Sequence, residues 1–324
     1  MTDARPARTV VPIGDIHAAR QRLRGVVTRT PLIRLNVDHA PCEIYLKLEN
    51  LQPIGSFKLR GAANAMLQAT PSELSNGVYT ASAGNMAQGV AWSARRMGVP
   101  CTAIVPDHAP DIKLGAIERL GGRIVKVPFD AWWQILITHE YPGMEGLFIH
   151  PVSNPAVMAG NGTIGLEILE DLPDVSAVVV PYGGGGLSCG IASALRALAP
   201  SVPVYACEVD TAAPLAPSLA AHSIQTVPYS PSFVDGIGGK SVLTEMWPLA
   251  QELLRESLVV SLAEVAAAVR LLAERNRVIA EGAGAAATAA ALTGRAGPGP
   301  VVCIVSGGNI DAGKLGLILA GGVP

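Results

Sequence analysis

The residue best placed for covalent chemistry is Lys58, which lies within the stretch 48–62. Pro53 and Gly55 interrupt regular structure in this stretch. A helical pattern begins near Ser56, which is the predicted N-cap and places Lys58 in the first helical turn. A helix N-terminus carries partial positive charge and disfavours a cation. Lys58 is therefore either an exposed, mildly unfavourable lysine or an amine that works in another form, such as a Schiff base.

A second stretch, residues 180–187, joins a predicted strand to a predicted helix through four consecutive glycines. These are Gly183, Gly184, Gly185 and Gly186, followed by Leu187. Such a run exposes backbone N–H groups at a helix N-terminus, which is an arrangement that binds phosphate. A tight packing turn is the alternative, although the glycines would then lose entropy for little return. The spacing to Gly190, with Glu208 ending the next strand, also resembles a loosened dinucleotide motif, so the kind of phosphate stays open.

A third stretch, residues 81–89, follows a predicted strand and begins a predicted helix. Its backbone N–H groups and the side chains of Ser82 and Asn85 are suited to holding a carboxylate. An ordinary helix N-cap is the alternative for this stretch. The presence of two glycine-containing stretches beside it favours a functional interpretation of Lys58.

The elements that position these stretches alternate between strands and helices. A length of 324 residues predicts about two lobes, and 49% hydrophobic with only 4% aromatic residues is typical of an α/β protein with buried parallel strands. The predicted strands cover residues 44–48, 78–81, 101–105, 123–127, 176–180, 202–209 and 301–305. The predicted helices include residues 16–23, 86–97, 111–120 and 187–198. The predicted fold class is α/β, with two lobes that each hold a mostly parallel sheet flanked by helices.

The order of these elements predicts how the lobes are built from the chain. The first strand of the larger lobe precedes Lys58, so the smaller lobe is an insertion into the larger one. We expect a large domain of residues 1–48 plus 150–324 and a small domain of residues 49–149. The cleft between two such domains is the usual place for a ligand.

Charge and composition exclude several classes of partner. The formal charge of -2 is spread over scattered basic and acidic residues, so no nucleic acid or anionic membrane is an expected partner. Residues 1–10 lack an apolar signal core, and no stretch is long and apolar enough to be a membrane-spanning helix. The five cysteines lack metal-binding spacing and are interpreted as buried, reduced thiols. A cytoplasmic location is therefore expected.

Four motifs together resemble the serine/threonine dehydratase group of the fold-type II pyridoxal-phosphate enzymes. They are residues 56–62, 81–89, 183–187 and 306–309. The resemblance extends from about residue 16 to residue 310. It implies a two-lobed architecture with pyridoxal 5'-phosphate in the cleft, an amino-acid substrate and a homodimer. The implied reaction eliminates water from a β-hydroxy-α-amino acid, such as threonine, serine or a bulkier analogue like phenylserine, and gives a 2-oxo acid and ammonia.

The resemblance also implies a role for each matching residue. Lys58 would hold the cofactor as a Schiff base and remove the Cα proton. Phe57 would pack beside the cofactor, Asn85 would hydrogen-bond its phenolic oxygen, and Ser306 would face its pyridine nitrogen. The phosphate would be bound by Gly183, Gly184, Gly185, Gly186 and Leu187. The substrate carboxylate would be bound by Ser82, Ala83, Gly84, Asn85 and Met86.

Two residues bear on the alternative functions. Met86 replaces the histidine usual after the asparagine, which leaves open a non-catalytic binding protein. Ala83 stands where related racemases carry a serine that returns a proton to Cα, which weighs against a racemase; β-replacement on the same scaffold is a further alternative. A nicotinamide-binding oxidoreductase could use the glycine turn, but it would leave Lys58 and Ser306 unexplained.

Three further features suggest site residues less strongly. Glu208 matches a cation ligand of some relatives, but Pro214 stands where a second carboxylate is expected, so no metal site is predicted. Trp133 either packs under the lobe with its aromatic neighbours or lines the cleft and selects a bulky or apolar β-substituent. The histidines show no ligand spacing and are interpreted mostly as surface residues or turn partners. These are His17, His39, His108, His139, His150 and His222.

Overall fold

The computed structural model describes residues 9–324, so the first eight residues of the predicted large domain lie outside the described range. The described chain is an α/β structure with two separate sheets. Its strands are β1 Leu32–Arg34, β2 Ile44–Lys47, β3 Val78–Ala81, β4 Cys101–Pro106, β5 Arg123–Val127, β6 Leu147–Phe148, β7 Ala177–Pro181, β8 Val204–Val209, β9 Ser257–Val260 and β10 Val301–Ile304.

The helices lie on the faces of the two sheets. They are α1 Ile13–Arg22, α2 Lys58–Gln68, α3 Asn85–Met97, α4 Asp111–Arg119, α5 Phe129–Thr138, α6 Pro155–Asp171, α7 Gly186–Leu198, α8 Leu215–Ala221, α9 Trp247–Leu253, α10 Leu262–Leu271, α11 Gly282–Leu292 and α12 Ala312–Leu319. A 3-10 turn at Glu49–Leu51 and a π turn at Leu272–Asn276 complete the list. Ser261 and Glu264 form a capping box at the start of α10.

The larger sheet has six strands in the order β1-β2-β10-β7-β8-β9. Only its edge strand β1 runs antiparallel, while the other neighbours pair in parallel. Side chains alternate between its two faces, as in a strand buried on both sides. Val179 packs in the core beneath α10 and α11, whereas Val178 and Val180 pack in the core beneath α6 and α7. Because β2 pairs with β10, the prediction that the first strand of this sheet precedes Lys58 is confirmed.

The smaller sheet has four parallel strands in the order β5-β4-β3-β6, all drawn from residues 78–148. Helices α2, α3 and α4 contribute to the core on one face, and α5 covers the other. The α/β fold class is therefore confirmed, with one mixed and one fully parallel sheet. The domain boundaries at residues 48 and 150 remain a prediction.

The start of helix α2 is held by a neighbouring segment and by the Ser56 side chain. Phe57, directly before the helix, already has a helical conformation. The Ser56 hydroxyl accepts from the Lys58 N–H at 3.4 Å, which is the contact expected of the predicted N-cap. Ser56 also forms a β-bridge with Gly307, and the Phe57 N–H donates to the Ser306 carbonyl at 3.0 Å. Lys58 is the first residue of the helix, and the segment after β10 aligns the chain there.

A buried network of charges anchors the first turn of α2. The Arg60 guanidinium donates to the Glu49 carboxylate at 2.7 and 2.8 Å and to the Glu167 carboxylate at 2.7 and 2.9 Å. The Lys47 ammonium lies 2.7 Å from Glu167 and donates to the Thr30 carbonyl at 2.7 Å. Since charged groups lose their hydration on burial, matched partners of this kind are what make the arrangement tolerable. The network joins the 3-10 turn, α2 and α6.

Cysteine burial agrees with most of the sequence prediction. Cys101, Cys189, Cys207 and Cys303 are buried free thiols, whereas Cys42 is only half-buried. Burial raises the pKa of the Cys101 and Cys189 thiols to about 12, so both stay protonated near neutral pH. Across residues 9–324, no helix combines the length and apolarity needed to cross a membrane.

The charge network predicts a large difference between two arginine substitutions. Arg60→Met leaves Glu49 and Glu167 buried without their shared cation, so the free energy of unfolding should fall by about 3–5 kcal/mol. Arg270→Met is the matched control, because it removes an exposed partner of Glu274 at 2.8 Å and should cost about 0.5 kcal/mol or less. Urea unfolding measures both values. Equal losses in the two variants would contradict the anchoring role.

Candidate active site

The predicted site residues meet in one cavity of about 410 Å³. Its lining includes every one of them: Phe57, Lys58, Ser82, Ala83, Gly84, Asn85, Met86, Gly183, Gly184, Gly185, Gly186, Leu187 and Ser306. Their common location is an observation, whereas their individual roles remain predictions. The convergence follows from topology, because loops at the carboxyl ends of parallel strands collect at one edge of a sheet.

Lys58 presents an amine that has no carboxylate partner. Its Nζ donates to the Pro151 carbonyl oxygen at 2.8 Å and lies 5.2 Å from the centre of the Phe57 ring. Among residues 9–324, no carboxylate forms an ion pair with it. Burial lowers the pKa of Lys58 to about 8, against the opposing charge of Glu281. A substantial fraction of the amine is therefore neutral near physiological pH, as nucleophilic and proton-transfer chemistry requires.

The glycine loop between β7 and α7 forms a cradle with no room for side chains. A Cβ on Gly184 would lie 2.6 Å from the Val152 side chain, and one on Gly186 would lie 2.5 Å from the Val152 carbonyl oxygen. Gly185 has a φ of 97°, which also favours glycine. Within the described part of the chain, the N–H groups of Gly183, Gly184 and Gly185 donate to no protein acceptor. These free donors line the cavity, so the loop fits a phosphate.

Asn85 belongs to a chain of side-chain hydrogen bonds along one wall of the cavity. Its amide donates to Glu281 at 2.9 Å and accepts from the Asn309 amide at 2.8 Å. Desolvation raises the pKa of Glu281 to about 7, so this carboxylate is near its titration midpoint at neutral pH. The sequence motifs did not assign Glu281 to the site. A carboxylate directly before a glycine-rich helix start was the available signal.

The position of Met86 shows why methionine can stand where the family usually has histidine. Met86 is buried in the apolar core around α3 and β3, although its backbone remains at the cavity wall. The backbone N–H groups at the start of α3 can therefore serve an anion whatever the side chain is.

Aromatic side chains of α5 form part of the cavity wall, but not the one expected. Phe129 and Trp132 line the cavity, with ring centres 5.6 Å apart. Trp133 is 38% exposed and lies outside the lining, so the hypothesis that Trp133 faces the cleft is wrong. Successive residues of a helix point about 100° apart, so only one of two adjacent tryptophans can face the cavity. Lys113 and Asp235 form an ion pair of 2.8 Å that also lines the cavity.

Glu208 has a structural role at the start of α8. Its carboxylate accepts hydrogen bonds from the N–H groups of Leu215 and Ala216, both at 2.9 Å, and from the Ser257 hydroxyl at 2.7 Å. Both carboxylate oxygens are thus engaged in holding the start of α8. No further ligand is needed to explain this buried acid.

The histidines divide into two groups. Exposure confirms the interpretation as surface residues for His17, His39, His108 and His222. His139 is half-buried and His150 is 2% exposed, and both lie close to Glu245. Sequence spacing could not reveal this cluster, because 95 or more residues separate Glu245 from either histidine.

Comparison with known proteins gives a consistent match. Residues 23–307 match the family described as "Pyridoxal-phosphate dependent enzyme". The chain is 41% identical to an L-threonine ammonia-lyase of Geobacter sulfurreducens, over 97% of this chain and 79% of the relative. A solved maize serine racemase has a TM-score of 0.87 at 29% identity, covering 97% and 98% of the two chains. A threonine deaminase from Solanum lycopersicum has a TM-score of 0.85 at 32% identity, covering 97% and 95%.

The environment of Lys58 predicts its reactivity. An amine-reactive label should modify Lys58 with a midpoint near pH 8, because burial lowers its pKa to about that value. Glu281→Gln should lower the midpoint further, since a nearby carboxylate charge favours the ammonium form. Peptide mass spectrometry across a pH series measures this, with the exposed Lys240 as reference in each digest. A midpoint near that of a solvated lysine, about 10.4, would contradict the account.

Proposed function

The chain belongs to the pyridoxal-phosphate dependent enzymes, and on that basis we propose that it eliminates water from threonine or serine. The products are a 2-oxo acid and ammonia. The observation that supports this most directly is the Lys58 amine, which among residues 9–324 has no carboxylate partner and shares one cavity with glycine-loop N–H groups that donate to no acceptor in that range. Pyridoxal phosphate, the cofactor of the family, needs such an amine and such a phosphate site.

The residues fit the cofactor and divide its binding between them. The N–H groups of Gly183, Gly184 and Gly185 would bind the phosphate, and the buried Ser306 hydroxyl would lie against the pyridine nitrogen. When bound, pyridoxal phosphate withdraws electrons from the amino acid and makes its Cα–H acidic. Lys58 Nζ then accepts the Cα proton, with the Pro151 carbonyl holding the amine in place.

The substrate carboxylate is assigned to the start of α3. Ser82, Gly84 and the backbone around Asn85 line the cavity there, and the helix N-terminus favours a negative charge. Ala83 offers no hydroxyl that could return a proton to Cα. The similar fold of a serine racemase does not decide the reaction, so Ala83 is the feature that favours elimination over racemisation. Because residues 23–307 match the pyridoxal-phosphate dependent enzymes, a nicotinamide-binding oxidoreductase is no longer proposed.

A bulkier β-substituent than the methyl group of threonine is proposed as an additional substrate feature. Phe129 and Trp132 offer an apolar aromatic surface to the cavity, which would stabilise a ring such as that of phenylserine. Two further expectations remain proposals, namely the homodimer implied by the resemblance and the cytoplasmic location expected from composition. A light-scattering mass equal to that of one chain would contradict the homodimer.

The proposed reaction is tested with L-threonine, L-serine and the enzyme loaded with pyridoxal phosphate. We expect 2-oxo acid from at least one substrate, and Lys58→Ala should reduce its rate at least about 10³-fold because both covalent attachment and proton transfer are lost. Lys126→Ala, which removes an exposed lysine on β5, is the control and should keep the wild-type rate. Formation of the D-amino acid instead would indicate a racemase. Cofactor absorbance without any product would indicate a binding protein or a replacement enzyme.

The aromatic wall predicts a difference between two neighbouring tryptophans. Trp132→Ala should lower the ratio of kcat/KM for L-threo-phenylserine to that for L-threonine about tenfold, because it removes apolar contact with the ring. Trp133→Ala should leave the ratio within about twofold, since Trp133 is exposed and outside the cavity. Equal kcat/KM ratios in the wild type and both variants would show that the aromatic side chains do not select the substrate.

A further inference from the structure

Beside the cavity lies a group of three ionisable side chains that the proposed reaction does not use. His139, His150 and Glu245, called the histidine cluster below, approach one another from different elements. His139 ends α5, which covers the four-stranded sheet, and Glu245 precedes α9, which packs against α7 of the larger sheet. His150 lies in the segment that connects β6 to α6. The cluster therefore joins elements of both sheets.

The hydrogen bonds of His150 fix its ring in one neutral form. Its Nε2 lies 3.1 Å from the Leu136 carbonyl oxygen and so must donate. Its Nδ1 accepts from the N–H groups of Val152 at 3.1 Å and Ser153 at 2.8 Å, and the Ser153 hydroxyl lies 2.9 Å away. Burial, with the charge of the adjacent His139, lowers the pKa of His150 to about 3. A neutral His150 with a proton on Nε2 is thus the only form that satisfies all of its neighbours.

His139 and Glu245 hold this ring from the other side. The His139 ring stacks on the His150 ring at 4.3 Å between centres, with 21° between planes. The His139 Nε2 lies 3.0 Å from the Glu245 carboxylate. Burial alone would raise the pKa of Glu245, but the hydrogen bonds from His139 and Ser153 outweigh it and lower the pKa to about 2. Glu245 is therefore a permanent acceptor that ties His139 and Ser153 together.

The histidine cluster is better suited to holding the neighbouring backbone in place than to binding a metal ion. Potential ligand atoms of the three residues lie within 4.8 Å of one another, as in a metal site. However, both ring nitrogens of His150 already have partners, and a cation at Nδ1 would displace two backbone N–H groups. The loss of those buried hydrogen bonds would offset what the cation gains.

The segment that His150 holds supports both halves of the candidate active site. Pro151, next to His150 in the chain, supplies the carbonyl that accepts from Lys58 Nζ at 2.8 Å. Val152 packs so closely under the glycine loop that a Cβ on Gly184 or Gly186 would lie 2.5–2.6 Å from it. A movement of residues 151–153 would therefore displace the amine acceptor and the floor of the phosphate cradle together.

We propose that the histidine cluster is a positioning device that sets residues 151–153 against Lys58 and the glycine loop. The inference rests on the proposed role of Lys58, but none of the three residues of the histidine cluster lines the cavity. Within the described chain, His139 and Glu245 are outside the cavity lining, so their effect on the reaction is exerted through the segment after His150. His139 and Glu245 are thus positioning residues at the junction of the two sheets.

The test measures Lys58 directly in the full chain without cofactor or substrate. Glu245→Ala and His139→Ala should each lower the pH midpoint of Lys58 labelling by about one unit, because an ammonium loses the Pro151 carbonyl that stabilises it. Glu281, the carboxylate whose charge acts on Lys58, is unchanged in both variants. The double variant should shift the midpoint no further than the larger single shift, since both residues act through one contact.

In the loaded enzyme, the same variants should lower kcat about tenfold and leave KM for L-threonine within about twofold, as misplacement of a proton-transfer group would. Glu245→Gln keeps an oxygen that accepts from His139. Its Lys58 labelling midpoint should therefore lie close to that of the wild type. Glu252→Ala on α9 is the matched control, because it removes an exposed partner of Arg196 at 3.0 Å and should leave the midpoint unchanged.

Thermal unfolding shows which variants are folded at the labelling temperature. If Glu245→Ala does not fold, His139→Ala decides the question, because Glu245→Gln is expected to keep a midpoint near that of the wild type. A wild-type labelling midpoint in every folded alanine variant of these two residues would overturn the proposal. The labelling result stands even if no substrate is turned over, so failure of the positioning role is distinguishable from failure of the proposed reaction.

Discussion

The pairing of the Arg60 guanidinium with Glu49 and Glu167 is the interaction on which the candidate active site depends. A buried guanidinium without matched acceptors is strongly unfavourable, so Arg60 can occupy only the position between these two carboxylates. That position fixes the first turn of α2 against α6 and the 3-10 turn. Because Lys58 lies two residues earlier, its amine enters the cavity from a rigid support. The pairing of Phe57 with Ser306 aligns the same segment from the other side.

Two lysines of this chain show how surroundings decide the chemistry of one residue type. Lys47 is fully buried, and its Nζ contacts Glu167 at 2.7 Å and the Thr30 carbonyl, which give it a structural role. Lys58 has a carbonyl partner and no carboxylate within ion-pair distance, so desolvation lowers its pKa. The difference between an anchor and a reactive amine therefore lies in the partners that the fold supplies.

Local patterns in the sequence predicted the elements well, because strand and helix periodicity and glycine punctuation are local properties. Strand β3 and the end of α3 at Gly98 appear where the pattern places them. The contacts that local patterns did not predict join distant residues. Ser56 pairs with Gly307, and the pairing of His139 with Glu245 depends on how the two sheets meet. The Trp133 hypothesis failed because helix rotation, which the sequence leaves undetermined, turns Trp132 toward the cavity.

The central claim is that Lys58 carries the cofactor in the cavity that Lys58 and the glycine loop line together. Borohydride reduction of the chain loaded with pyridoxal phosphate, followed by peptide mass spectrometry, tests it most directly, because reduction makes a cofactor–lysine link permanent. Of the six lysines in the chain, the account predicts the added mass on Lys58 alone. Added mass on Lys113 at the cavity wall, or on no lysine, would contradict it.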